Sequence, residues 1–147
     1  MDLILWRHAD AEDGVPDEER RLTSKGEKQA QRMAAWLKKR LPKDAVVLSS
    51  TARRARETAQ ALTRKYETSS DIGTAATPQS VLKAAGWPSR DGTVVVIGHQ
   101  PTLGQTAALA LTGSEDGWSI KKGALWWLES RDRDDIIVRA VVSPDML

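Results

Sequence analysis

Apolar positions in this chain fall into two patterns. Short unbroken runs stop abruptly at polar residues, and longer stretches carry apolar residues every three or four positions. The runs at 3–6, 45–48 and 94–97 read as strands buried on both faces. Between the first two, Ser24-Lys25-Gly26-Glu27 fits a capping box, and Ala30, Met33, Ala34, Leu37 and Leu41 follow at helical spacing until Pro42. A second helix starts at Ser50 or Thr51 and carries Ala55, Ala59, Leu62 and Tyr66 on one stripe. Residues 69–77 are small and polar and read as a loop. Pro78–Ala85 reads as a short helix ended by Gly86. Pro101 suits the first turn of a further helix, with Leu103, Ala107, Ala110 and Leu111 behind it and Gly113 at its end. Residues 124–128 and Ile136–Val142 form two last strands around a charged turn at 131–135. Such alternation predicts an α/β fold, a three-layer α/β/α sandwich with a mostly parallel central sheet.

With 147 residues, the chain suits one domain, 1–147, around a single core. A charged fraction of 29% beside 40% hydrophobic residues argues against both a disordered chain and a membrane protein. The first residues, Met1-Asp2-Leu3-Ile4-Leu5-Trp6, lack a basic leader and a long apolar stretch, so the cytoplasm is the default expectation. Zero cysteines exclude disulfides, thiol nucleophiles and cysteine-ligated zinc.

Charge is unevenly spread. Fourteen Lys and Arg against three acids give residues 20–65 a charge of +11, so the remainder carries −9. A segment of this kind attracts an anionic substrate, a nucleic acid or an acidic protein. Aromatic residues do not interleave with the basic ones as in a single-strand platform, so nucleic acid is not expected.

The chain has two histidines, and both follow apolar runs. His8 comes after Leu5-Trp6-Arg7, and His99 after Val96-Ile97-Gly98. In open α/β sheets, ligands bind at the carboxyl ends of the strands. Arg7 and His8 leave the first strand there, and an arginine in the first turn of the second helix lies close by. Spacing alone leaves Arg53, Arg54 and Arg56 open for that role. His99 precedes a helix whose unpaired amides would face an anion. Imidazoles and guanidiniums converging on one rim suit phosphate, whose oxygens accept paired donors from Arg. A metallohydrolase using His8, Asp10 and His99 is a second reading, although Arg7 and Arg54 would repel the cation. A third is a non-catalytic module that binds phosphorylated or acidic partners through the basic segment.

Four motifs in order resemble those of the histidine phosphatase superfamily, which includes the cofactor-dependent phosphoglycerate mutases. Arg7-His8-Ala9 resembles its Arg-His-Gly signature. Arg20-Arg21-Leu22-Thr23-Ser24-Lys25-Gly26 resembles Arg-x-Leu-Thr-x-x-Gly. Ser50-Thr51-Ala52-Arg53-Arg54-Ala55-Arg56-Glu57-Thr58 resembles Ser-Pro-x-x-Arg-Ala-x-Gln-Thr, and Gly98-His99 its third motif. With so short a chain, the pattern is most similar to the SixA type of phosphohistidine phosphatase. The resemblance implies a phosphoglycerate mutase-like fold of minimal size without a cap domain. It also implies His8 as nucleophile, with Arg7, Arg54 and His99 on the phosphoryl oxygens, and neither a metal nor an organic cofactor. Asp10 and Arg20 are further site candidates.

Two positions depart from the signatures: Ala9 replaces Gly, and Thr51 replaces Pro. Many relatives also carry a glutamate acid after the second motif. Between Arg54 and His99 the acids here are Glu57, Glu67, Asp71 and Asp91, of which only Asp71 is placed at all suitably. The expectation is a chain without that acid. Such an enzyme would act on phosphohistidine in a protein, with a small-molecule phosphomonoesterase as the alternative.

Overall fold

A computed structural model describes residues 1–132 and 134–147; Arg133, within the expected charged turn, lies outside the described residues. The strands are β1 (Asp2–Arg7), β2 (Val46–Ser49), β3 (Glu67–Thr68), β4 (Thr93–Gly98), β5 (Leu125–Ser130) and β6 (Ile136–Val142). The helices are α1 (Ser24–Lys38), α2 (Arg53–Leu62), α3 (Pro78–Ala85) and α4 (Thr102–Thr112), with short 3-10 turns at Asp17–Glu19, Ser70–Ile72 and Pro144–Met146.

The strands form one sheet in the order β3-β2-β4-β1-β5-β6. β3, β2, β4 and β1 pair in parallel, and only β5 runs against the rest, since β6 is antiparallel to β5 in turn. In the two central strands, Leu3–Trp6 of β1 and Val94–Ile97 of β4 are unbroken apolar runs, as suits strands covered by helices on both faces. Their side chains alternate between the layers. Leu3, Leu5, Val94 and Val96 pack with Val81, Ala85, Leu103 and Ala107 of α3 and α4. Ile4, Trp6, Val95 and Ile97 pack on the other face with Met33, Leu37, Ala55 and Ala59 of α1 and α2. The expected three-layer sandwich is therefore present.

Local details differ from the sequence reading at the helix ends. The N-cap of α1 is Thr23 rather than Ser24, its hydroxyl accepting the Gly26 N–H at 3.0 Å. α1 stops at Lys38, before Pro42, with Leu41 still packed against the α1–α2 core. Neither Ser50 nor Thr51 is the N-cap of α2; Ala52 is, and Ser50 Oγ accepts the Ala52 N–H at 3.1 Å. Tyr66 falls beyond the end of α2, and Pro101 lies just before α4 rather than in its first turn. The edge strand β3 went unrecognised because both its residues are polar and exposed.

α1 is fixed against the chain leaving β1 by a backbone contact. Gly26 is buried, and a Cβ there would overlap the Asp10 carbonyl oxygen, which accepts the Thr23 N–H at 3.0 Å. Alanine normally gains ~1 kcal/mol over glycine inside a helix. Here the overlap with backbone outweighs that gain. Gly26→Ala should lower the unfolding free energy by ~1–3 kcal/mol in a denaturant titration, the usual cost of overpacking. A stabilised variant would show that α1 can move away from residue 10.

Candidate active site

β1 and β4 pair with Trp6 opposite Ile97 and Arg7 opposite Gly98, so both strands end at the same height. The His8 N–H continues the ladder to the Gly98 carbonyl at 3.0 Å, and the His8 carbonyl accepts the Gly123 N–H at 3.0 Å. His8 is thus held by backbone on both sides just beyond the sheet. His99 leaves β4 one residue after Gly98, and the two rings lie 5.2 Å apart, centroid to centroid. Arg54, in the first turn of α2, is almost entirely buried. Arg7, His8, Arg54 and His99 line one cavity of about 290 Å³, with Asp17, Arg20, Thr74, Gln100 and Lys122 around it.

The hydrogen bonds orient the rings. His8 Nδ1 lies 2.7 Å from the Ala9 carbonyl, which can only accept, so Nδ1 carries the proton and Nε2 keeps its lone pair. His99 Nε2 lies 2.8 Å from Ser50 Oγ, which already accepts the Ala52 N–H. If the Ser50 hydroxyl donates to Nε2, His99 Nδ1 is left as a donor. Arg7 donates through one terminal nitrogen to the Ile120 carbonyl at 2.8 Å. Arg54 donates to Asp17 twice, to the carbonyl at 2.9 Å and to Oδ2 at 3.1 Å. The Nε atoms of Arg7 and Arg54 are buried, and neither has a hydrogen-bond partner among the described residues.

Electrostatics keep both imidazoles neutral. Burial, followed by His99, Arg54 and Arg7, pushes the His8 pKa down to about 3, despite the opposing bond to Ala9. Burial and Arg54 bring His99 down to about 4, against a raising effect of Asp17. Asp17 itself is held below the usual carboxylate range, first by its bond to Arg20 and then by Arg54.

The structure thus brings together Arg7, His8, Arg54, His99 and Arg20. Arg54, not Arg53 or Arg56, enters the cavity: Arg53 pairs with Glu57, and Arg56 donates to the Thr51 carbonyl. Asp10 does not line this cavity; its carboxylate binds Thr23 and Lys122. Asp71 is exposed on the turn Ser70–Ile72 and stays outside the cavity. Two first-turn amides of α4, expected to face an anion, are already paired. Leu103 N–H bonds the His99 carbonyl at 2.9 Å, and Gly104 N–H bonds the Gln100 side chain at 2.8 Å. Asp17 was missed because it sits in a polar loop with no periodicity. Ser50 was read only as a cap, although it opens the second motif. Among the described residues, no group of three His, Cys, Asp or Glu side chains is placed to hold a metal ion. No helix among them is long and apolar enough to cross a membrane.

The chain is similar to known proteins in sequence and in fold. The profile of the histidine phosphatase superfamily (branch 1) matches residues 3–74. An uncharacterized protein of Mycobacterium leprae (strain TN), ML1117, is 36% identical over 112 residues, which span 69% of this chain and 64% of that protein. The protein histidine phosphatase SixA complexed with tungstate has the same fold, with a TM-score of 0.86 at 22% identity over 99% of both chains. A candidate phosphohistidine phosphatase SixA from Nakamurella multipartitia gives a TM-score of 0.81 at 26% identity, covering 97% of this chain and 95% of its own.

The histidine pKa values set a pH dependence. Both folded values lie below the unfolded value of ~6.5, so between them the unfolded chain binds more protons and stability falls as pH falls. The denaturant midpoint should therefore drop from pH 7 to pH 5, and the drop should shrink in His8→Asn/His99→Asn. In NMR, the two imidazole resonance sets should stay flat from pH 8 to 5.5. A midpoint near 6.5 for either ring would show that it is not desolvated.

Proposed function

Because the chain belongs to the histidine phosphatase superfamily, we propose that it is a metal-independent phosphatase with His8 as nucleophile, acting on phosphohistidine in a protein. The observation that carries this reading is the single cavity lined by the guanidiniums of Arg7 and Arg54 and by both histidines, with the His8 ring keeping a free Nε2. An oxyanion bound in that cavity would offset the charge of both guanidiniums at once. The tungstate complex of the structural relative supports the same ligand chemistry.

In the proposed reaction, His8 Nε2 attacks phosphorus, and the bond from phosphorus to the leaving group breaks with its electron pair going to that group. Ala9 O holds the Nδ1 proton as positive charge develops on the ring. Arg7, Arg54 and the Nδ1–H of His99 take the charge on the equatorial oxygens. Water then attacks the phosphohistidine, releases inorganic phosphate and restores His8. A neutral His8 at pH 7 keeps its nucleophilic lone pair, which a surface histidine would share with a proton.

The leaving group sets the substrate. Asp17 is the one carboxylate lining the cavity among the described residues, and its bonds to Arg20 and Arg54 keep it ionised, which makes it a poor proton donor at neutral pH. An alkyl phosphate needs a proton on its departing alkoxide. The imidazole of phosphohistidine can carry its own proton before the bond breaks, and the Asp17 carboxylate suits a protonated ring.

His8→Ala should abolish turnover, and an alkaline quench of the wild-type enzyme during turnover, in which a phosphohistidine survives, should find the label on His8 alone; a label elsewhere, or one that survives acid, would overturn the assignment. His99→Ala should lower kcat by about a hundredfold, near the ~3 kcal/mol of one oxyanion donor. In kcat/KM, phosphoramidate and phosphohistidine peptides should rank first, then aryl phosphates, with sugar phosphates last. Efficient hydrolysis of a sugar phosphate with phosphohistidine ignored would place the chain among small-molecule phosphomonoesterases instead.

A further inference from the structure

Lys122 lies on two concave surfaces at once. It lines the cavity of His8, and it lines a second depression bounded by Asp10, Lys25, Gln29 and Lys121. That depression runs on past Lys25 and Gln29 into a third, walled by Lys28 and Arg32 on one side and Pro144 on the other. Through these shared lining residues the three lie in series from the reaction cavity along α1, together called the groove. One wall is the α1 face bearing Lys25, Lys28 and Arg32, whose spacing puts them on one side of the helix. The other is the turn holding Lys121 and Lys122, together with Pro144–Met146.

The groove is strongly basic. Its two carboxylates are already engaged, Asp10 with Lys122 at 3.0 Å and Asp145 with Lys121 at 3.5 Å. Lys25, Lys28 and Arg32 are exposed and form no ion pair among the described residues. These cations are left uncompensated on a concave surface that ends at the nucleophile. The groove is also fixed relative to that nucleophile. Gly123 donates to the His8 carbonyl, and its own carbonyl accepts the Trp6 indole N–H at 2.9 Å. At Gly123 the φ is +76°, and a Cβ would press on Pro144 at 3.0 Å and on Gln29 of α1 at 3.4 Å, so the two walls meet there without room for a side chain.

We propose that this groove docks an acidic segment of the protein that presents the phosphohistidine. The inference rests on the function proposed above and names the partner's chemistry. Charge complementarity selects an acidic chain, and the junction at Lys122 places it beside the phosphoryl group. A nucleic acid fits less well, because among the described residues no aromatic side chain lines the groove to stack a base.

The test uses three synthetic peptides with one phosphohistidine flanked by glutamates, by serines or by lysines, with phosphoramidate as the small reference. Wild-type kcat/KM should be about tenfold or more higher for the glutamate than for the lysine peptide at low salt, narrowing at 0.5 M salt as charges are screened. Lys25→Glu/Lys28→Glu/Arg32→Glu should erase that preference and leave phosphoramidate hydrolysis and the melting temperature unchanged. Fluorescence anisotropy of the unphosphorylated glutamate peptide should show the same loss in the variant, independently of turnover. Equal kcat/KM for the three peptides, or a preference that survives in the variant, would overturn the docking groove. So would a single-stranded oligonucleotide that binds more tightly than the glutamate peptide. Retained peptide binding with no turnover of phosphoramidate or any phosphohistidine peptide would instead overturn the phosphatase reading and leave the groove standing.

Discussion

The pairing of β1 with β4 sets the geometry on which the cavity depends. With Arg7 opposite Gly98, the two strands end together, and His8 and His99 emerge at one edge of the sheet. A slip by one residue would turn every side chain of β1 to the opposite layer, exchanging Leu3 and Leu5 for Ile4 and Trp6. Both layers are packed against helices, so such a slip has no low-energy alternative. The positions of the two imidazoles are therefore stabilised by the whole core rather than by contacts at the cavity.

That position has an electrostatic consequence. The site concentrates two guanidiniums and two imidazoles where little water reaches. Burial alone disfavours protonated imidazole, and the neighbouring arginines add to the effect. The arginines remain charged and are only partly paired, Arg7 with a carbonyl and Arg54 with Asp17. A polypeptide that folds around such charge needs compensation, and Asp17 supplies some of it from the loop between β1 and α1. The same carboxylate reaches Arg20 at 2.9 Å, so one short 3-10 turn joins two of the sequence motifs.

The loop from residue 10 to 22 thus links site and scaffold. Ala11 bridges to Leu22, Asp10 binds Thr23 and Lys122, and Gln29 accepts the Asp10 N–H at 2.9 Å. Gly26 admits the Asp10 carbonyl against α1. Through these contacts the N-terminal half of α1, with its row of cations, is held in fixed relation to the strand that carries His8.

Periodicity and residue type determined the layers, the two central strands and the identity of the histidines at their ends, because a run buried on both faces must stop where the sheet stops. The motif register also separated Arg54 from Arg53 and Arg56, which spacing alone left open. Helix ends were legible only to within a few residues, since Thr23, Ser24, Ser50 and Thr51 all carry a capping oxygen and only the chain path decides which one is used. Polar positions carried even less information. Nothing local distinguishes Asp17 in the cavity from Asp71 outside it, or marks two α4 amides as already paired by His99 and Gln100. Those outcomes depend on which segments a fold brings into contact, as do the alignment of Lys122 with Lys25 and the desolvation of His8. Burial and charge proximity are properties of three-dimensional packing between residues far apart along the chain, and local sequence has no term for them.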